Sequence, residues 1–186
     1  KGKKVLITGH TGFKGSWLIT WLNLLGAKVV GVSTGQVSKP SHFNLLNISP
    51  KIRNYYFDIN NFNKINEVFK REKPEYLFHL AAQSLVLESY KNPLNTFKTN
   101  SIGVANVMEC IKNSKSLKSA IIVTSDKCYK NFEKKGGYKE TAVLAGEDPY
   151  SSSKSCAELI FSSYCKLIEK KSKIQIVSMR AGNVIG

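Results

Sequence analysis

The stretch "VLITGHTGFKG" (residues 5–15) constrains the fold more than any other part of the chain. A β-branched run ends in Gly9, and Gly12 and Gly15 follow at three-residue spacing, where an apolar segment fit for a helix begins. Glycine lets a backbone turn tightly and lie close to an anion, and the first turn of a helix offers unpaired N–H groups and a positive dipole end. A glycine triplet alone is only a turn. Between a strand and a helix it reads as the cradle for a dinucleotide's pyrophosphate, and that cradle belongs to a βαβ unit.

The rest of the chain continues the alternation. "KKVLIT" (3–8), "KVVGV" (28–32), "YYF" (55–57), "YLFHL" (76–80), "AIIVT" (120–124) and "KIQIVSM" (173–179) are short β-branched or aromatic runs, most of them unbroken by polar residues. Unbroken apolar strands belong to parallel sheets buried on both faces. Between them, Phe13, Trp17, Leu18, Trp21, Leu22 and Leu25 mark one apolar helix face that Gly26 closes, and residues 61–73, 93–114 and 149–171 are further helical stretches. The pattern predicts an α/β fold, a doubly wound Rossmann-type parallel sheet with helices on both faces, in one domain over 1–186. Residues 33–54 and 128–148 read as long irregular segments, a length that tends to accompany function.

Composition narrows the function classes. At 186 residues and 42% hydrophobic content the chain builds one sizeable core. Its formal charge of +15 comes mostly from scattered lysines, with only Arg53, Arg71 and Arg180 besides, which argues against nucleic acid and for a small anionic substrate. No run approaches the ~20 apolar residues of a membrane span and the N-terminal residues lack a signal peptide's apolar core, so a cytoplasmic protein is expected. Cys110, Cys128, Cys156 and Cys165 show neither a C-x-x-C pair nor histidines at ligand spacing, so no metal and no disulfide framework is expected.

The acidic residue that usually meets the ribose about 20 residues past the glycines is missing, since no Asp or Glu precedes Asp58. Ser33 or Thr34 then has to meet the ribose, and charge alone does not decide between NAD and NADP. Asp58 suits the adenine amine or the capping of the next turn.

"DPYSSSK" sets Tyr150 and Lys154 one helical turn apart on a shared face, with Asp148 as N-cap and Pro149 as first helical residue. An ammonium beside a phenol is expected to lower the phenol's pKa and make it a base. The Y-x-x-x-K spacing is common by itself. Here it accompanies the glycine turn and Ser125, a hydroxyl at the C-terminal end of a strand, where ligands bind in open α/β sheets. Ser125 and Tyr150 can hold a sugar hydroxyl while a nicotinamide takes the carbon-bound hydrogen.

Taken together, "GHTGFKGSWL" (9–18), "HLAAQSLV" (79–86), "TNSIGVANVME" (99–109), "VTSDKCYKN" (123–131), "DPYSSSKSCAEL" (148–159) and "RAGNVIG" (180–186) resemble the extended short-chain dehydrogenase/reductases, most closely the CDP-glucose 4,6-dehydratases. The resemblance implies NAD as cofactor, contacted by Gly9, Thr11, Gly12, Phe13, Gly15, Ser33, Asp58, Ile59, Leu80, Ala81, Ala82, Gln83, Tyr150 and Lys154. Asn100 would join or support that set. Ser125, Asp126, Lys127, Tyr150 and Lys154 would carry the chemistry, and Ser125 and Asn183 would touch a nucleotide-diphosphate sugar. The implied reaction oxidises sugar C4, removes water across C5–C6 with Asp126 as acid and Lys127 as base, and returns the hydride to C6, as in deoxysugar and O-antigen synthesis. A 4-epimerase needs the tyrosine and lysine but not the Asp126-Lys127 pair, and a non-catalytic dinucleotide-binding module needs neither. The resemblance further implies a homodimer through helices 93–112 and 150–170, with Val104, Val107, Met108, Leu159, Ile160 and Tyr164 in surplus of the core. It also implies a substrate domain not contained in residues 1–186. Ser84 stands where the pattern has proline, and Leu87-Glu88 where it has an arginine-bearing pair.

Overall fold

Six strands pair in parallel in the order β3-β2-β1-β4-β5-β6 in the computed structural model, which describes residues 1–35, 38–170 and 172–185. They are β1 (Lys4–Thr8), β2 (Lys28–Ser33), β3 (Arg53–Tyr56), β4 (Tyr76–His79), β5 (Ser119–Val123) and β6 (Gln175–Met179). The helices are α1 (Phe13–Leu24), α2 (His42–Leu45), α3 (Phe62–Glu72), α4 (Val86–Lys91), α5 (Pro93–Phe97), α6 (Gly103–Lys112) and α7 (Pro149–Glu169). The expected doubly wound Rossmann-type sheet is therefore the fold. Residue 171, the expected last helical position, and Gly186 lie outside the described residues.

The two layers follow from which side each strand residue faces. Leu6, Val30, Val32, Leu77, Ala120 and Ile122 form one core with Ile65, Val68 and Phe69 of α3, Val104, Val107, Met108 and Ile111 of α6, and Ala157 and Ile168 of α7. On the opposite side Val5, Ile7 and Val29 pack on Ile19 of α1, Phe43 and Ile48. The chain leaves β1 toward β2 on one side and reaches β4 on the other, so the order reverses at β1, and the crevice above β1 and β4 is where such folds bind ligands.

Four expectations change. The core face of α1 is Gly15, Ser16 and Ile19, with Leu18 and Leu22 packed beside it, while Phe13, Trp17, Trp21 and Leu25 are exposed. α1 is apolar nearly all round, so spacing alone did not single out a face. The stretch 93–114 is not one regular helix: α5 and α6 are joined by a π-helical turn at Lys98–Ile102. α4 was not anticipated, because its six residues are too short for a periodic signal. Val104, Val107 and Met108 are buried in the core, so they are not surplus; of the six residues named for a dimer, Leu159 alone is exposed.

Candidate active site

The glycine turn closes against β4. Gly9 has φ +73°, and a Cβ there would lie 2.7 Å from the Ala81 nitrogen; a Cβ on Gly15 would lie 2.5 Å from the Gly9 carbonyl oxygen. No side chain fits at either place, so the backbone comes close to whatever lies above it. The Ser16 N–H bonds the Gly12 carbonyl, so the N–H groups of the preceding first turn lack intrahelical partners. This cradle suits a pyrophosphate.

A cleft of about 850 Å³ runs from that turn across the sheet's C-terminal edge. Of the residues expected at the cofactor, Gly9, Thr11, Gly12, Phe13, Gly15, Ser33, Asp58, Ile59, Leu80, Ala81, Ala82, Gln83, Tyr150 and Lys154 all line it, and so do Ser125, Lys127 and Asn183. Ser33 accepts from the Gly35 N–H (3.2 Å), and Asp58 accepts from the Asn60 N–H (2.8 Å), so Asp58 both faces the cleft and caps its turn.

Two expected residues stand elsewhere. Asn100 is buried behind the cleft wall, where its amide spans both backbone groups of Gln83 (2.8 and 2.9 Å) and the Ser153 hydroxyl (2.9 Å). It holds the Gln83 backbone from behind the cleft wall, the supporting place expected of it. The side chain of Asp126 accepts from the Ser125 hydroxyl (3.1 Å) and lines a second cavity, of about 1080 Å³. Lys127 lines both cavities. Asp126 and Lys127 are both exposed among the described residues.

Helix α7 positions Tyr150 and Lys154. Asp148 caps it by accepting from the Ser151 N–H (3.0 Å), and Pro149 opens it, as expected. One turn apart, Tyr150 and Lys154 are both buried, with the Lys154 ammonium 5.9 Å from the Tyr150 ring centre. Burial pushes the Tyr150 phenol above its ordinary pKa, with the Ser125 hydroxyl pulling the other way. The expected lowering is not found, because desolvation acts with the charges of Asp126 and Asp148 to raise the phenol and only the Ser125 hydroxyl opposes them. Burial, reinforced by the charge of Lys14, lowers Lys154 to about 8.

Sequence reasoning missed two groups. Lys14, inside the glycine turn, lines the cleft. Glu158, one further turn along α7 from Lys154, is buried and accepts from Thr124, from Ser178 (3.2 Å) and from Arg180 (2.7 Å). Arg180 also donates to the Tyr129 hydroxyl (2.8 Å), and the Asp126 N–H donates to the Ala181 carbonyl (3.1 Å). The segment 124–129 is thus held at both ends and in its middle. Glu158 at position i+8 from Tyr150 was a signal available in the sequence.

Comparison with known proteins bears on this site. The family profile described as GDP-mannose 4,6 dehydratase matches residues 6–184. The chain is 41% identical, over all of its length, to CDP-glucose 4,6-dehydratase of Salmonella typhimurium, and covers 53% of that protein. It is 29% identical to UDP-glucose 4-epimerase of Mycoplasma genitalium, over 98% of this chain and 53% of the relative. Among solved structures, epimerase Mth375 of Methanothermobacter thermautotrophicus superposes with a TM-score of 0.83 at 27% identity, over 97% of this chain and 51% of that one. The dTDP-glucose 4,6-dehydratase of Bacillus anthracis, solved in complex with NAD, has a TM-score of 0.79 at 24% identity over 96% of this chain and 54% of that one, a likeness of fold. The chain spans about half the length of the curated relatives it matches.

Proposed function

The chain belongs to the GDP-mannose 4,6 dehydratase family, and on that premise we propose that it is the NAD-binding part of a nucleotide-sugar 4,6-dehydratase whose substrate is CDP-glucose. The observation that carries this is the meeting of Ser125, Lys127, Tyr150 and Lys154 in the same cleft as the glycine turn. The 41% identity to a CDP-glucose 4,6-dehydratase supports the choice of sugar nucleotide, and a relative nearly twice as long supports a separate substrate domain.

Gly9, Thr11, Gly12, Phe13 and Gly15 would hold the cofactor's pyrophosphate, Ser33, Asp58 and Ile59 its adenosine half, and Leu80, Ala81, Ala82 and Gln83 the remainder. When bound, NAD supplies a two-electron acceptor and donor beside the sugar. Tyr150 takes the proton of the sugar O4 hydroxyl, which Ser125 holds in hydrogen-bonding reach. For this Tyr150 must act as the phenolate, and the positive charge of Lys154 one turn along α7 favours that phenolate until the proton arrives. Once C4 is a ketone the C5 hydrogen is acidic, and Lys127 removes it while Asp126 protonates the departing O6 hydroxyl. Asn183 stands at the sugar-nucleotide end of the cleft.

Asp126 and Lys127 separate this reading from a 4-epimerase, which has no elimination step to catalyse. The test is to give the longer protein NAD with CDP-glucose, UDP-glucose or dTDP-glucose. A 4-keto-6-deoxy product from CDP-glucose supports the reading, whereas a C4 epimer with the C6 hydroxyl retained sinks it. Assembly as a homodimer through α5, α6 and α7, and residence in the cytoplasm, complete the proposal.

A further inference from the structure

The glycine turn carries a charge where electrostatics disfavours one. Lys14 stands in the first turn of α1, the positive end of the helix, which favours anions, and no acidic residue accompanies it there. Its side chain is partly buried against the cleft, and no hydrogen bond or ion pair meets its ammonium among the described residues. Burial pulls Lys14 below its ordinary pKa.

A second cation faces it across the same cleft. Lys154 is only 5% exposed, has no ion pair among the described residues either, and feels the charge of Lys14 directly. Among the described residues the only carboxylate lining the cleft is Asp58, and its Oδ1 is engaged by the Asn60 N–H. Two desolvated ammonium groups facing one another do not stabilise an empty fold. An anion between them would.

We propose that Lys14 is a phosphate-binding residue, whose ammonium neutralises the pyrophosphate of the dinucleotide cradled by the glycine turn. The backbone N–H groups supply direction and partial charge; Lys14 adds a full charge and a charge-assisted hydrogen bond. This rests on the dinucleotide reading of the cleft. The same chemistry is present in a sugar nucleotide's diphosphate, but Lys14 is flanked by Gly12 and Gly15 at the cradle itself, which assigns it to the cofactor.

The experiment titrates this chain and its Lys14→Met and Lys14→Arg variants calorimetrically with NAD, ADP-ribose, adenosine and CDP-glucose, and records the melting temperature of each without ligand. ADP-ribose has the pyrophosphate and no nicotinamide; adenosine has no phosphate. Lys14→Met should weaken NAD and ADP-ribose by the same factor, about tenfold to a hundredfold, the range for losing a hydrogen bond to a charged group. Adenosine should be unaffected, Lys14→Arg should restore most of the loss, and the empty Lys14→Met chain should melt no lower than the parent. Unchanged ADP-ribose affinity overturns the assignment. So does a loss confined to CDP-glucose, or a weakening of adenosine accompanied by a lower melting temperature. If the parent binds neither NAD nor ADP-ribose, the dinucleotide reading itself falls, an outcome distinct from binding that ignores Lys14.

Discussion

Lys154 shows what the fold gives up to place a cation beside a phenol. Its native pKa of about 8 lies below the ordinary lysine value of 10.5. Between those values the unfolded chain holds a proton that the native chain has lost, so this residue makes stability rise with pH across that interval. Below pH 8 the burial cost is fully present, on the order of 3 kcal/mol as an upper bound. Lys154→Met should therefore raise the urea midpoint of the empty chain at pH 7 and remove its own part of the rise toward pH 10; a variant less stable than the parent at pH 7 would contradict the sign. His79 works in the acid range. Fully buried, it is held down to about 3, so the unfolded chain gains a proton below pH 6.5 that the native chain refuses, and stability falls as pH drops from 6.5 toward 3. Replacing His79 by Asn should flatten that acid limb. Lys127 is tested by isotope: in the longer protein, Lys127→Ala should still oxidise C4 of CDP-glucose while solvent deuterium no longer enters C5. Wild-type deuterium uptake would give the base role to another residue.

The elements legible in the sequence were those whose signal is local. β1 to β6, the cap at Asp148 and the glycine turn all announce themselves within ten residues, and the structure holds them close to where the pattern put them. What stayed hidden depends on contacts between distant segments. The exposure of Trp17 and Trp21 is decided by which side of α1 meets Ile7 and Val29, and the height of the Tyr150 pKa by how tightly the surrounding elements close over it. For Asn100 the sequence reads as joining or supporting the cofactor contacts, and only the fold shows its bonds to the Gln83 backbone, 17 residues away. The glycine turn also yields the sharpest prediction at this scale. In Gly15→Ala the new Cβ meets the Gly9 carbonyl 2.5 Å away, backbone against backbone, so the turn itself must shift. The expected result is a loss of about 1–3 kcal/mol in stability, with NAD binding abolished and far-UV circular dichroism retained. Unimpaired NAD binding by that variant would mean that the turn is not the cradle. Glu158→Ala removes one half of a largely buried ion pair and should cost about 3–5 kcal/mol, more than Gly15→Ala, because Arg180 is left charged and mostly enclosed.

At the scale of the whole molecule the formal charge of +15 acts on two partners with opposite sign. NAD and sugar nucleotides are anions, and a positive field speeds their capture; a second copy of the chain carries the same field and is repelled. Salt separates the two effects, since the Debye length falls from about 30 Å at 0.01 M to about 8 Å at 0.15 M. Raising the ionic strength should slow NAD association and, in the same samples, promote self-association. The residues that would carry the proposed dimer are not the buried Val104, Val107 and Met108 but Leu94 on α5, Ile102 in the turn before α6 and Leu159 on α7, which are 68%, 53% and 59% exposed. β6 offers a competing surface, because Val177 and Met179 are half-exposed on the outermost strand. Sedimentation at low and high salt should show the dimer fraction growing with salt in the parent. Ile102→Lys with Leu159→Lys should leave a monomer at both salts that melts at low salt where the parent does, as expected for side chains that solvent already reaches. Should Val177→Lys with Met179→Lys dissociate the dimer instead, the sheet edge and not the helices holds the two copies together.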